Sequence, residues 1–200
     1  LYTKKDEELA LAHFKEALKF NPWHPLSFAG LTQGYLKVGK AEEAYKIISQ
    51  GVSCYPKNPE LRLNLSMALL GAGRIDESIM EAKKVLTLNS QYAFSFSVLG
   101  EAFKRKGNWE AAIYYWQRFL MDNPANIKAN LALLELYAKK GEDSKVDSIV
   151  GWLLHLKGDK TWRQFIIQVI EEEKVKVYTP EPDVVIQIIR KTLQRAAGKD

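Results

Sequence analysis

The residues that could do acid–base, nucleophilic or metal-ligand chemistry are few and lie far apart along the chain. The three histidines are His13, His24 and His155, and none has a second histidine at helical spacing. Cys54 is the single cysteine, so the chain can form neither an intramolecular disulfide nor a zinc site of the usual kind. The sequence therefore predicts no catalytic, cofactor or metal site, and we expect a protein that is not an enzyme.

Two short motifs imitate functional ones. Gly71-Ala72-Gly73-Arg74 is rich in glycine but lacks the lysine and hydroxyl residue of a phosphate-binding loop, so we interpret it as a helix connector. Glu171-Glu172-Glu173 is a run of carboxylates, but consecutive residues point in different directions on a helix, which indicates a solvated face. His24, which lies between two prolines, is interpreted as a surface loop residue.

A 34-residue repeat fixes the elements that carry these residues. Units that begin at Pro25, Pro59, Ala93 and Ile127 share two stripes of apolar residues at helical spacing. Small residues stand where the two helices of a unit should cross: Thr32 with Ala44, Ser66 with Ser78, and Gly100 with Ala112. A glycine separates the two helices and predicts a left-handed turn, at Gly39, Gly73, Gly107 and Gly141.

This pattern resembles the tetratricopeptide repeat (TPR) over residues 8–154. The resemblance implies an all-α fold, a right-handed α-solenoid of antiparallel helix pairs (a TPR superhelix) with C-terminal capping helices. Arg62 and Asn130 depart from the family pattern, which has a large apolar residue there. The expected organisation is the second half of a truncated unit over 1–24, TPR units over 25–58, 59–92 and 93–126, a degenerate unit over 127–157, and capping helices over 158–200.

The last residues do not repeat the pattern and predict two further helices, over about 160–174 and 183–195. A solenoid needs a cover on its apolar end face, so we expect the first of these helices to be a cap. The second helix has three interpretations. It completes the cap, fills a groove as a ligand would, or docks on a neighbouring molecule.

Composition narrows the classes of partner. The net charge of +5 is distributed with alternating sign along the helices, which does not favour a nucleic-acid partner. No apolar run approaches the roughly 20 residues that cross a bilayer, so we expect no direct membrane insertion. Because the chain opens at Leu1 inside an incomplete unit, we expect it to be a fragment of a longer polypeptide.

The resemblance also implies a concave groove lined by the first helix of each unit. Its N-terminal half is expected to be apolar, centred on Leu63, Met67 and Leu70, and its C-terminal half basic. The partner-binding residues carried over from the family register are Leu26, Gln33, Leu36, Lys37, Leu63, Met67, Leu70, Phe94, Glu101, Lys104, Arg105, Lys128, Glu135 and Lys139.

The predicted function is a protein–protein interaction scaffold that binds a partner peptide or helix in this groove. The family's carboxylate clamp for chaperone tails is matched only at Asn64, so we do not predict chaperone-tail binding. Two alternatives stay open. The chain is a regulatory or substrate-recognition segment of a larger enzyme, such as a glycosyltransferase or peptidase, or it is a self-assembly module that forms a homo-oligomer.

Overall fold

A computed structural model describes residues 4–155 and 182–196, and all elements in these ranges are α-helices. The predicted all-α fold is confirmed. The chain forms two compact units, residues 1–108 (unit 1) and 109–200 (unit 2). Unit 1 contains α1 Lys4–Phe20, α2 Pro25–Lys37, α3 Ala41–Cys54, α4 Pro59–Gly71, α5 Ile75–Leu88 and α6 Ala93–Arg105. Unit 2 contains α7 Trp109–Asp122, α8 Ile127–Lys140, α9 Asp143–His155 and α10 Pro182–Ala196.

The helix boundaries follow the local signals in the sequence. The four turn glycines all have a positive φ, between 71° and 79°, which confirms the predicted left-handed turns. Asn58 and Asn126 begin α4 and α8 as N-caps, because their side chains accept from the amides of Leu61 and Ala129. The structure agrees to within one residue with the predicted bounds of the paired helices, which are about 25–38 with 41–54, 59–71 with 75–88, 93–106 with 109–121, and 127–139 with 143–156. The predicted helix over 160–174 lies outside the described residues.

Unit 1 is held together by helices that pack on their sequence neighbours. Each first helix (α2, α4) packs on the second helix of its pair (α3, α5), and α3 packs in turn on α4. At the crossing of α4 and α5, Ser66 and Ser78 are completely buried and joined by hydrogen bonds. Small side chains at this crossing let the two backbones approach. Phe28, Ile48 and Leu69 belong to the buried core formed by α2, α3 and α4.

The two polar departures from the family pattern have a common structural role. Arg62 and Asn130 stand at equivalent repeat positions, and both side chains donate to a linker proline carbonyl six residues earlier, at Pro56 and Pro124. Arg62 also forms an ion pair with buried Glu81, 2.7 Å from Nη1 to Oε2. These polar side chains therefore hold the linkers that precede α4 and α8 by hydrogen bonds, which an apolar side chain could not form.

Unit 2 is organised around α8, which packs on α7, α9 and α10. The apolar face of α10 is buried through Val185 and Ile189. At the other end of α10, Arg195 forms ion pairs with Asp143 and Asp147 on α9. Contacts with α8 and α9 support the interpretation of α10 as a cap, which remains a prediction.

Candidate partner-binding face

The residues predicted to line a groove lie on four first helices. In unit 1 they occupy α2, α4 and α6, and α4 contacts both α2 and α6. In unit 2 they occupy α8 alone. Each unit is compact by itself and has its own first-helix face.

In unit 1, two large apolar side chains are open to solvent at the beginning of first helices. Leu26 and Phe94 are each the second residue of their helix, two repeats apart, and they are 59% and 60% exposed. Between them on α4, Glu60 lies near the phenol of Tyr92, and burial together with this carboxylate raises the pKa of Tyr92. The start of the first helices therefore presents an apolar edge with one acidic residue.

The apolar centre expected on α4 is largely closed. Leu63 is only 6% exposed, Leu70 is completely buried, and only Met67 is half-exposed. On α2, Leu36 is buried as well. Leu63 and Leu70 are buried because α2 and α6 pack on either side of α4, so that the inward positions of this middle helix become part of the core. Leu36, Leu63 and Leu70 consequently stabilise unit 1 and offer no open contact surface in this structure.

The end of α6 carries a compact charged cluster. Glu101 is buried, and its carboxylate lies 3.0 Å from Arg105 Nε and 3.7 Å from Lys104 Nζ. Arg105 also donates from Nη1 to the Leu70 carbonyl, 3.1 Å away, at the C-terminal end of α4. A cation at this end of a helix is favourable because the carbonyls there carry partial negative charge. Two cations, Lys104 and Arg105, thus lie beside one buried carboxylate at the end of α6.

The corresponding end of α2 is also cationic. Lys37 is exposed in the last turn, and Gln33 is exposed one turn earlier. Leu26 and Lys37 are eleven residues apart on this helix, about 16 Å at ~1.5 Å per residue. In unit 1, α2 and α6 thus each carry an exposed apolar side chain at the start and basic residues at the end, whereas α4 has Glu60 near its start and no basic residue in its last turn.

In unit 2, two of the predicted groove residues form an ion pair with each other. Glu135 is buried, and Lys139 Nζ lies 2.7 Å from its Oε1. Lys128 is half-buried at the start of α8. The predicted excess of positive charge on α8 is thus reduced at Lys139, which is paired with a buried carboxylate.

The residues with catalytic potential are not brought together. His13 is exposed on α1, and His24 precedes α2 with its Nδ1 2.9 Å from Ser27 Oγ. Cys54 is half-buried at the end of α3. Within the described ranges, no group of His, Cys, Asp and Glu side chains has a metal-binding arrangement, and none of the helices is long and apolar enough to cross a membrane.

Sequence reasoning did not single out Trp23, which adds to the apolar edge. It is 62% exposed in the linker three residues before Leu26, and its carbonyl accepts from Tyr55 Oη at 2.7 Å. This bond fixes the linker backbone against the end of α3. A tryptophan in an otherwise polar, proline-rich linker was the signal that could have identified it.

Comparison with solved structures decides the fold. A thermophilic TPR protein from Thermus thermophilus superposes with a TM-score of 0.67 at 21% identity, covering 86% of this chain and 91% of that one. The chain has the tetratricopeptide-repeat fold. PilF of Pseudomonas aeruginosa gives the same TM-score at 16% identity, over 98% of this chain and 87% of that one. YrrB, a TPR protein described as having an unusual peptide-binding site, gives a TM-score of 0.58 at 16% identity, over 79% and 81% of the two chains.

Two curated proteins match this chain over part of its length. No protein-family model matches the chain. A DnaJ homolog subfamily C member 7 homolog of Schizosaccharomyces pombe is 25% identical over 76% of this TPR chain and 36% of its own length. The Hsp70-Hsp90 organizing protein of Triticum aestivum is 31% identical over 47% of this chain and 16% of its own. The chain thus spans about a third or less of the relatives it matches.

Proposed function

We propose that this TPR chain is an adaptor that binds a peptide of a partner protein on the first-helix face of unit 1. The observation that supports this most directly is the exposure of Leu26 and Phe94 at the same repeat position. Large apolar side chains that stay in water at equivalent places on one face are typical of interaction surfaces. The peptide contributes apolar anchors to this edge.

The charge at the other end of the same helices defines the second feature of the peptide. Lys37 is exposed at the end of α2, and two further cations, Lys104 and Arg105, lie beside Glu101 at the end of α6. A carboxylate of the peptide would reach this end if it lay about 16 Å from the apolar anchor. This distance corresponds to about five residues of extended chain. The preferred ligand is therefore a short segment with apolar residues at one end and an acidic group at the other.

We do not propose that this chain binds the tail of a chaperone, although one relative is named an Hsp70-Hsp90 organizing protein. Asn64, the one clamp-like residue, is buried, and its Nδ2 donates to the Glu60 carbonyl at 2.9 Å. The other clamp places hold Ala29, Gln33, Phe94 and Val98, none of which is charged. The chemistry of the proposed peptide is therefore inferred from Leu26, Phe94 and the basic residues at the ends of α2 and α6.

Selection of random short peptides displayed on phage tests the proposal. We expect enriched peptides to share an apolar residue and an acidic residue a few positions away. Their affinity should fall more than tenfold for a Leu26→Asp/Phe94→Asp variant, because a buried carboxylate replaces each anchor.

Met80→Asp is the matched control, since Met80 is 49% exposed in unit 1 but lies on α5, a second helix. This variant should retain full affinity. Equal loss in both variants, or unchanged affinity in the double variant, would reject the first-helix face as the binding site.

A further inference from the structure

Glu60 interrupts the apolar edge of unit 1 at its middle. It is the second residue of α4, as Leu26 is of α2 and Phe94 is of α6, and the three positions follow one another at intervals of 34 residues. Because α4 contacts both α2 and α6, Glu60 stands between the two exposed apolar side chains. The edge therefore presents an apolar, an acidic and an apolar residue in that order.

The carboxylate of Glu60 has no ion-pair partner among the described residues. The single basic residue of α4, Arg62, is engaged elsewhere, since it donates to the Pro56 carbonyl and pairs with Glu81. Glu60 is half-buried, and its charge reaches Tyr92, whose pKa is raised first by burial and then by this carboxylate. A half-buried carboxylate gains more from an opposite charge than one fully in water, because apolar surroundings lower the local dielectric constant.

The position of Glu60 in its helix is favourable but does not dictate an acidic residue. Glu60 lies in the first turn of α4, where the partial positive charge of the helix N-terminus favours a carboxylate. The first helices on either side do without this interaction, because neither α2 nor α6 has an acidic residue in its first turn. Helix stability alone therefore does not explain the acid between two exposed apolar residues.

We propose that Glu60 selects peptides that carry a lysine or arginine between two apolar residues. This inference rests on the proposed peptide-binding function and adds one basic residue to the ligand. The apolar residues of the peptide contact Leu26 and Phe94, and the cation between them pairs with Glu60. Packed helices lie about 8–10 Å apart and an extended chain advances about 3.3 Å per residue, so about three residues separate the cation from each apolar anchor.

Selection of the same phage-displayed peptides on three forms of the chain tests this pairing: the unmodified chain, Glu60→Gln and Glu60→Lys. The unmodified chain should enrich lysine or arginine midway between two apolar residues. Glu60→Gln should lose this preference, because it removes the charge with little change in shape, and Glu60→Lys should enrich aspartate or glutamate at the same place. All three forms should keep the apolar anchors, since Leu26 and Phe94 are unchanged.

A synthetic copy of one enriched peptide gives the size of the effect. Replacing its central basic residue by glutamine should weaken binding to the unmodified chain about fivefold, the upper range for a partly exposed ion pair. The same replacement should leave binding to Glu60→Gln unchanged. Added salt should reduce the fivefold difference, because it screens charges at the surface.

Glu42→Gln is the matched control. Glu42 is also the second residue of its helix and lies in the first turn, but α3 is a second helix. This substitution removes the same interaction with a helix N-terminus without altering the first-helix face, so the preference for a basic residue should persist. The melting temperatures of the two glutamine variants should change by similar small amounts.

Two results would overturn the proposal and leave the peptide-binding function standing. One is the same peptide pattern, apolar anchors included, from all three forms of the chain. The other is an equal loss of affinity for the glutamine-substituted peptide on the unmodified chain and on Glu60→Gln, which would place the partner of the cation elsewhere. If the unmodified chain selects no peptides with apolar anchors, the proposed function itself is rejected, and this inference with it.

Discussion

The hydroxyl oxygens of Ser66 and Ser78 lie 3.0 Å apart where α4 crosses α5, and each hydroxyl donates to the main-chain carbonyl of the other residue, at 2.7 and 2.8 Å. Both residues are completely buried. The pair thus joins two helices through their backbones at the point where a larger side chain would hold them apart.

This reciprocal pair predicts non-additive stability changes. Ser66→Ala and Ser78→Ala should each lower the free energy of unfolding by about 1 kcal/mol, the usual net value of a buried hydrogen bond. The double variant should lose less than the sum, by ~0.5 kcal/mol or more, because the two hydroxyls share one crossing. Urea denaturation of the three variants measures this, and strictly additive losses would contradict the coupling.

The Arg62–Glu81 ion pair predicts a rescue by apolar residues. Arg62→Phe should destabilise the chain by about 2 kcal/mol, because buried Glu81 loses its 2.7 Å partner and keeps only Lys84. Adding Glu81→Ile should recover most of this loss, since it recreates the Phe28 and Ile47 combination at the equivalent positions one repeat earlier. If thermal denaturation shows the double variant to be as unstable as Arg62→Phe, the pair is not exchangeable with an apolar contact.

Two glycines should respond oppositely to alanine. Gly73 has a φ of +77°, so Gly73→Ala should cost about 1 kcal/mol from the left-handed backbone alone. Gly151 lies within α9 with open space around its Cα and no positive φ, so Gly151→Ala should stabilise the chain by up to ~1 kcal/mol. Chemical denaturation compares the two, and a change of the same sign in both would contradict the assigned backbone conformations.

The carboxylates of unit 2 predict a specific pattern of titration. The pKa of Glu142 is lowered chiefly by its hydrogen bond to Lys145, and less by Lys140. The pKa of Glu110 is lowered first by a backbone hydrogen bond and then by Lys140, whose Nζ lies 3.3 Å away. Lys145→Ala should therefore raise the pKa of Glu142 and leave that of Glu110 unchanged, whereas Lys140→Ala should raise both.

Carbon-detected NMR of the carboxyl groups would follow these titrations. Because both folded-state pKa values lie below the ordinary value of 4.5, their stabilising effect is complete above that value and is lost as pH falls through the folded values. The pairs are at the surface, so added salt should reduce both shifts. A change in the pKa of Glu110 in the Lys145→Ala variant would contradict the hydrogen bonds assigned to these carboxylates.

The sequence predicted the helices well because the repeat is marked by backbone chemistry. A glycine at each turn, a proline or asparagine at the start of three of the four first helices and small residues at the crossings mark where the helices begin and end. These signals act within a few residues of one another, so they do not depend on tertiary context. The same reasoning identified Arg62 as a departure but could not find its partner, since Glu81 lies nineteen residues away on the next helix.

The candidate site was less predictable because exposure depends on neighbours that the sequence register does not show. The register places Leu63 and Leu26 on the same face, yet Leu63 is closed by the helices beside α4 and Leu26 stays open at a helix start. The register also predicts free positive charge at Lys104 and Arg105, and the structure shows both on the buried carboxylate of Glu101. The burial of Leu63 follows from packing between helices, which the register does not show. The ion pairs of Glu101 lie within α6 at i,i+3 and i,i+4 spacing, so the sequence does contain their signal.

Site-specific photo-crosslinking tests the central claim most directly. A benzoylphenylalanine in place of Phe94 should form a covalent adduct with a bound partner in lysate of the source organism, because Phe94 lies on the proposed apolar edge and is 60% exposed. The same probe in place of Met80 should form none, although Met80 is also exposed in unit 1. Adducts from position 94 that disappear with Leu26→Asp would agree with peptide binding on the first-helix face, and adducts from position 80 alone would contradict it.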